Sequence, residues 1–213
     1  MFKSYSLHMF YSALGLLSTF FAMPILTRLF VGDAFVVYGI FLSTHFVIAS
    51  VLSLRHEFLV SKSKTDFDAN FFLFKSTALS TLNILVISIL SFLICAIVDV
   101  DFFGLSLGLL VSIFFAAWLQ NLVYIFLQYL IFSEDHSVLR LARILQPFSL
   151  SGFQIFLGLL GFVEFGLVVG HIVSCLIVLC YLAFKIEFCE RCRSPNFYIL
   201  DLRHRNSFDL IKF

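Results

Sequence analysis

Charged residues are scarce in this sequence, and so are the residues that usually build loops and linkers. Asp, Glu, Lys and Arg make up 13% of the 213 residues, whereas a soluble globular domain averages about 25%. The whole chain has 3 Pro and 10 Gly, which is too few for a linker-like, low-complexity protein. The composition therefore excludes both an ordinary soluble domain and a flexible linker.

Recognisable catalytic motifs are also missing. The sequence has no glycine-rich phosphate loop, no GxSxG and no HExxH, so we predict that the protein is not an enzyme and holds no cofactor. The Asp-x-Asp formed by Asp66 and Asp68 is interpreted as part of a solvated loop. Cys189 and Cys192 form a Cys-x-x-Cys pair, with His204 further along. These three residues do not complete the ligand set of a structural zinc site, so we predict no metal.

What the sequence has in excess is apolar residues. Hydrophobic residues make up 61% of the chain, with 30 Phe, and the mean hydropathy is +1.05. A bilayer core of about 30 Å needs roughly 20 helical residues to cross it. The long apolar runs are continuous rather than alternating, which predicts helices and excludes a membrane barrel. We therefore expect an all-α membrane protein, a bundle of six transmembrane helices at about 9–31, 36–60, 71–98, 103–132, 144–162 and 166–184.

The Lys and Arg residues are unevenly distributed around these six stretches. If the N-terminus is cytoplasmic, 13 of the 14 basic residues fall on the inner side, and Arg28 alone falls on the outer side. Cytoplasmic loops of membrane proteins are enriched in Lys and Arg. The distribution predicts that both termini are cytoplasmic and that the number of spans is even. The outer turns then carry Asp33, Asp99, Asp101 and Glu164.

Several short motifs follow one another along the chain. They are Pro24-Ile-Leu-Thr-Arg-Leu-Phe30 with Gly32-Asp33 and Tyr38-Gly39, then Ser53-Leu-Arg-His-Glu-Phe-Leu-Val60, the acidic loop at 66–70, Arg143-Ile-Leu-Gln146, and Leu157-Gly-Leu-Leu-Gly161. In this order and spacing the sequence resembles the polysaccharide and O-antigen flippase family, part of the superfamily that also contains multidrug exporters. The resemblance covers nearly the whole chain.

The resemblance implies both an architecture and a function. Such transporters consist of two halves, about twice this length in all, with substrate bound between the halves. Residues 1–184 resemble one six-helix half of a twelve-helix flippase, and 185–213 a basic cytoplasmic tail or linker toward a second half. The implied function is translocation of a lipid-linked oligosaccharide in cell-surface polysaccharide and lipopolysaccharide biosynthesis, by a truncated or half transporter of the bacterial inner membrane. The alternative is a non-transporting fragment or structural membrane protein.

The same resemblance implies which partners the chain has. They are the lipid bilayer, the lipid-linked oligosaccharide, and a second six-helix half or another copy of this chain. Nucleic acid is not expected among them.

Three charged residues are candidates for substrate binding or gating. The resemblance implies that Arg28 faces a central cavity and attracts a lipid-linked pyrophosphate, which suits the planar donors of an Arg. Alternatively, Arg28 reaches the lipid head groups or pairs with Asp33. Arg55 and Glu57, at the inner end of the second span, could form an inner gate. They could equally be interface charges that fix the end of that helix.

Polar side chains also occur inside the predicted spans. Buried amides in lipid need partners, so we expect the faces that carry Asn83, Gln120 and Gln146 to turn inward. They either line a hydrophilic path for sugar hydroxyls or hydrogen-bond helix to helix. His45 and His171 are weaker candidates, either for proton coupling or for an interhelical hydrogen bond.

Overall fold

The computed structural model describes residues 2–30, 32–98, 107–163 and 165–193, with side chains placed for 10–30, 32–93, 107–163 and 165–186. The described residues form helices joined by turns. The helices are α1 Phe2–Leu29, α2 Gly32–Leu52, α3 Glu57–Ser61, α4 Asp66–Val98, α5 Leu107–Phe132, α6 His136–Leu159 and α7 Gly166–Arg193. The prediction of an all-α protein is confirmed for these ranges.

Five of these helices, α1, α2, α4, α5 and α7, are long and apolar enough to cross a membrane. Many of their large apolar side chains are exposed, among them Leu16, Phe20 and Phe74. A soluble monomer rarely exposes continuous apolar surface on this scale, whereas lipid tails solvate it. The chain is therefore a multi-pass membrane protein.

The remaining long helix, α6, differs from these five in composition. It has 24 residues, but Arg140, Arg143 and several amides lie along it, and it is not among the helices apolar enough to span by composition. It is amphipathic and packs extensively against both α1 and α7. Protein therefore covers much of its surface.

Helix α5 lies at the centre of the bundle, where it contacts α2, α3, α4 and α7. In the most apolar stretch of each helix, 67% of the α5 residues are buried but only 17% of the α1 residues. Leu109, Ile113 and Ala116 of α5 pack with Phe41 of α2 and Val168 of α7 in one of the apolar clusters. The helices are thus arranged around α5, and their outer faces are left for lipid.

Two of the glycines lie where α6 packs closely against α1 and α7. A Cβ on Gly15 of α1 would stand 2.7 Å from Cγ of Pro147 in α6, and one on Gly170 of α7 would stand 2.8 Å from Cγ of Gln154 in α6. Small residues of this kind let transmembrane helices approach closely. They hold α6 between α1 and α7.

Several helix starts differ from the sequence prediction, and local capping explains those of α4 and α6. Asp66 and Asp68, which were expected in a loop, lie in the first turn of α4. Helix α4 begins at Asp66 rather than near 71 because Thr65 caps it, its hydroxyl oxygen accepting a hydrogen bond from the Asp68 backbone at 3.1 Å. Helix α6 begins at His136 rather than near 144 because Asp135 accepts from the Val138 backbone at 3.3 Å. Both are N-cap arrangements that extend the helix beyond its apolar part.

Candidate functional site

The second predicted span is broken into two helices, and the candidate site lies at this break. The sequence predicts one helix over 36–60, but α2 ends at Leu52 and α3 begins at Glu57. Between them, Leu54 and Arg55 have φ values of 49° and 61°. Two consecutive non-glycine residues in the left-handed region are uncommon and cannot continue a right-handed helix. The chain therefore turns here instead of running on.

The end of α2 is capped by side chains from neighbouring helices. The amide of Asn83 in α4 donates to the Leu52 carbonyl at 2.7 Å, and the amide of Asn121 in α5 donates to the Ala49 carbonyl at 2.9 Å. The last carbonyls of a helix have no partner within it. In a membrane protein such groups must be satisfied by protein. The two asparagines therefore stabilise the break.

Glu57 is buried in this break. Its side chain is 8% exposed, and the Ser53 hydroxyl donates to its Oε2. Asn121 Nδ2 lies 3.5 Å from the same Ser53 oxygen. We call Ser53, Glu57, Asn83 and Asn121 the junction cluster. It joins the end of α2, the start of α3 and the middle of α4 and α5.

Arg55 does not accompany Glu57 into the interior. Its side chain is exposed, and its guanidinium lies 5.7 Å from the centroid of the Phe58 ring. Arg28 is also exposed, at the end of α1. Neither arginine forms an ion pair with another described residue. The structure thus separates the two arginines from the buried carboxylate.

A second polar group, the amide cluster, joins α5, α6 and α7. Gln146 donates to Gln120 Oε1 at 2.9 Å, and the Cys175 thiol donates to the same oxygen at 3.3 Å. Gln120 and Gln146 are both candidates from the sequence, and the structure brings them into direct contact. Cys175 lies in an apolar run of the sequence, where a thiol behaves as a small apolar group. Its contact with Gln120 therefore had no sequence signal.

Histidines from α2 and α7 meet nearby. The ring centroids of His45 and His171 lie 4.7 Å apart. The Tyr38 hydroxyl is 3.3 Å from His171 Nδ1, and His45 Nδ1 is 3.1 Å from the Phe41 carbonyl. Both Nε2 atoms are buried without a partner among the described residues. The pair therefore contacts mainly aromatic and backbone groups.

Among the described residues outside the spans, Asp135 has a shifted pKa. A hydrogen bond from the Ser137 hydroxyl to the Asp135 carboxylate, 2.7 Å long, lowers the pKa of Asp135. The Val138 backbone acts in the same direction, and partial burial opposes both. Asp135 is thus ionised at neutral pH, as an N-cap at a helix start prefers.

Some sequence candidates lie outside the described part of the chain. These are Asp99, Asp101, Glu164 and His204, and the side chains of Cys189 and Cys192. Among the described side chains, no three His, Cys, Asp or Glu residues come together in a way that could hold a metal ion.

The buried polar atoms of these groups are amides, hydroxyls, imidazoles, one thiol and one carboxylate, and they can bind or orient a ligand. Compared with known proteins, the chain matches no protein-family model, no curated protein and no solved structure.

Proposed function

We propose that this protein is one six-helix half of a transporter that moves a lipid-linked oligosaccharide across the bacterial inner membrane. One observation carries the proposal: a carboxylate, several amides and two histidines are buried inside a bundle whose outer surface is apolar. Ionisable and polar residues inside a membrane bundle are costly, and they usually mark a substrate or ion path. The family resemblance of the motifs around Arg28 and Arg55 supports this substrate class.

In the proposed topology α6 is the fifth of six spans, and both termini are cytoplasmic. Contact with α1 and α7 supports a crossing, because α6 lies between two helices that are apolar enough to span. Reporter fusions after Ser133 and after Val163 test this point. We expect a cytoplasmic signal at Ser133 and a periplasmic signal at Val163. The same side for both would show that α6 does not cross.

The roles proposed for the two arginines are tested by export of the oligosaccharide. In a version joined to a second six-helix half, Arg28→Ala and Arg55→Ala should each abolish export, because a desolvated pyrophosphate would lose its cation. Lys at either position should restore export only in part, since a point charge lacks the planar fork. Lys64→Ala, in an exposed loop, is the control, and membrane abundance is measured for each variant. Full export by the double Ala variant at normal abundance would contradict the proposal.

The amide cluster favours the alternative, a structural protein without transport activity. Gln120, Gln146 and Cys175 bond to one another, and such contacts also occur simply to join helices. The two readings differ in what the outer face of the bundle contacts. A transporter half should cross-link in membranes to a second half or to another copy, whereas a structural protein that is stable as a lone monomer should not.

A further inference from the structure

Among the residues that the structure describes, none forms an ion pair with the carboxylate of Glu57. Arg55, Lys62 and Lys75, the basic residues nearest to it along α3 and the neighbouring part of α4, are exposed. None of them forms an ion pair with Glu57. His56, half-buried in the same turn, is 3.1 Å from the Ser53 carbonyl through its Nδ1. A buried carboxylate that lacks a compensating charge is strongly unfavourable in a membrane protein.

The junction cluster contains two further side-chain oxygen atoms, from Ser53 and Asn121. Asn121 is 1% exposed. Because its Nδ2 is held by the Ala49 carbonyl, its Oδ1 is the atom left over, and that oxygen is buried without a partner among the described residues. The Ser53 hydroxyl lies between Asn121 Nδ2 and the Glu57 carboxylate. A carboxylate, a hydroxyl and an amide oxygen are the ligand types that hard cations prefer.

Helix α4 adds two more oxygens to this region. Ser76 and Ser80 are fully buried on the same face of α4, and their Oγ atoms have no partner among the described residues. Asn83 on that face contacts the end of α2, and α3 packs against α4. Ser76 and Ser80 therefore share a helix face with Asn83, a member of the junction cluster. Three buried oxygens without partners therefore belong to the helices around one carboxylate.

The broken helix contributes a further negative potential. The last turn of α2 ends at Leu52, and a helix C-terminus carries a partial negative charge. In many transporters the interrupted end of a helix, together with its carbonyls, holds the coupling cation. The left-handed Leu54 and Arg55 produce such an interruption here.

We propose that Glu57, Ser53 and Asn121, with Ser76 and Ser80 on the face of α4 that carries Asn83, form a binding site for one small monovalent cation, with sodium as the probe. The single carboxylate matches a single positive charge, whereas calcium and magnesium sites in proteins commonly recruit additional carboxylates. The site lies at the inner end of α2 and would supply the ion-coupling step of the proposed transporter. Its test needs no oligosaccharide, so the failure of either proposal is distinguishable from the failure of the other.

Binding is measured on the purified full chain in detergent. Equilibrium dialysis with radioactive sodium should show saturable binding, and thermal unfolding should shift upward in sodium chloride relative to choline chloride at equal ionic strength. The shift follows because a ligand that binds only the folded state stabilises it. Potassium and calcium chlorides and a pH series in choline chloride are run alongside.

Three variants complete the experiment. Glu57→Gln keeps the shape of the side chain but removes its charge and should abolish sodium binding. Ser53→Ala should weaken binding by about tenfold, equivalent to the loss of roughly 1.4 kcal/mol, and it covers the case in which Glu57→Gln does not fold. Glu134→Gln, at an exposed position in the turn before α6, should bind sodium like the unchanged protein.

Each possible outcome either supports or overturns the proposed cation site. Saturable sodium or potassium binding that Glu57→Gln or Ser53→Ala weakens, and Glu134→Gln does not, supports the site. A protein that responds to pH but to neither sodium nor potassium would have no such cation site, and a response to calcium alone would mean a different site. Either result overturns the proposal, as does equal behaviour in sodium and choline, or sodium binding that survives both site variants.

Discussion

The junction cluster and the amide cluster are built from similar residues but differ in how well their polar atoms are satisfied. Gln120 and Asn121 are neighbours on α5, and each bonds across to another helix. The oxygen of Gln120 accepts two hydrogen bonds, from Gln146 and Cys175. The oxygen of Asn121 accepts none among the described residues.

This difference separates two uses of polar groups inside a membrane bundle. A fully bonded group joins helices and needs nothing more. A buried oxygen without a partner is costly, and one beside a carboxylate is suited to a cation. The amide cluster is thus explained by helix association alone, whereas the junction cluster is not. Substitutions in each cluster should therefore have different consequences.

The largest effect is expected where Gly170 of α7 packs against Gln154 of α6. Gly170→Ala would place a Cβ 2.8 Å from Gln154 Cγ and 3.1 Å from its backbone nitrogen. Because backbone cannot move aside cheaply, we expect a loss of about 1–3 kcal/mol. Thermal unfolding in detergent micelles measures it.

Gly152→Ala in α6 is the matched control, because an added Cβ there meets nothing within 4 Å. It should stabilise the protein slightly, since Ala is a better helix former than Gly by about 1 kcal/mol. An equal response of Gly170→Ala and Gly152→Ala would show that α6 and α7 are not closely packed.

The next largest effect is expected at the two adjacent amides, Gln120 and Asn121. Gln120→Leu leaves the donors of Gln146 and Cys175 without their acceptor, and Asn121→Leu leaves the Ala49 carbonyl without its donor. Each should lower stability in choline chloride by roughly 1 kcal/mol, the size of interhelical hydrogen bonds in membranes. Only Asn121→Leu should also abolish the stabilisation by sodium.

A double variant sharpens this comparison. Replacing Gln120 and Gln146 together by Leu removes donor and acceptor at once, so stability should partly recover relative to Gln120→Leu alone. Thermal unfolding with and without sodium gives both numbers for every variant. Loss of the sodium response in Gln120→Leu would contradict the separation of the two clusters.

The smallest effect is expected outside the bundle, at the cap of α6. Asp135→Ala should cost about 0.5 kcal/mol, the low end for an N-cap, because the residue is partly exposed. The pKa of Asp135 is lowered in the folded state. The contribution of its charge is therefore present above the ordinary Asp pKa and is lost as the pH falls through the lowered value.

Unfolding temperatures between neutral and acidic pH test this point. Asp135→Asn retains a capping side chain but should lose that part of the pH dependence. An unchanged pH profile in Asp135→Asn would show that other groups govern the acid range.

Much of the fold could be predicted from the sequence, because lipid forces apolar runs to become helices. The inward turn of Gln120 and Gln146 also follows from this constraint. The starts of α4 and α6 had signals in the sequence, in Thr65 with Asp68 for α4 and in Asp135 for α6. The predicted orientation and the proposed substrate stay predictions.

The break after α2 could not be predicted in this way. Left-handed turns are usually signalled by Gly or Asn, but Leu54 and Arg55 carry no such signal. Only packing against α4 and α5, with Asn83 and Asn121 at the end of α2, supports this conformation. Residues two apart on a helix point in different directions, so a helical spacing separates Arg55 from Glu57 but does not tell which of them is buried.

The central position of α5 has a consequence for how the protein is made. A chain emerges from the ribosome with its N-terminus first, so α1, α2 and α4 enter the membrane before their central partner exists. Until Asn121 arrives, the Ala49 carbonyl lacks its donor, and α1 must wait longer still for α6. During synthesis the early helices are therefore held by lipid and by the insertion machinery. The bundle is complete only when α5, α6 and α7 have been translated.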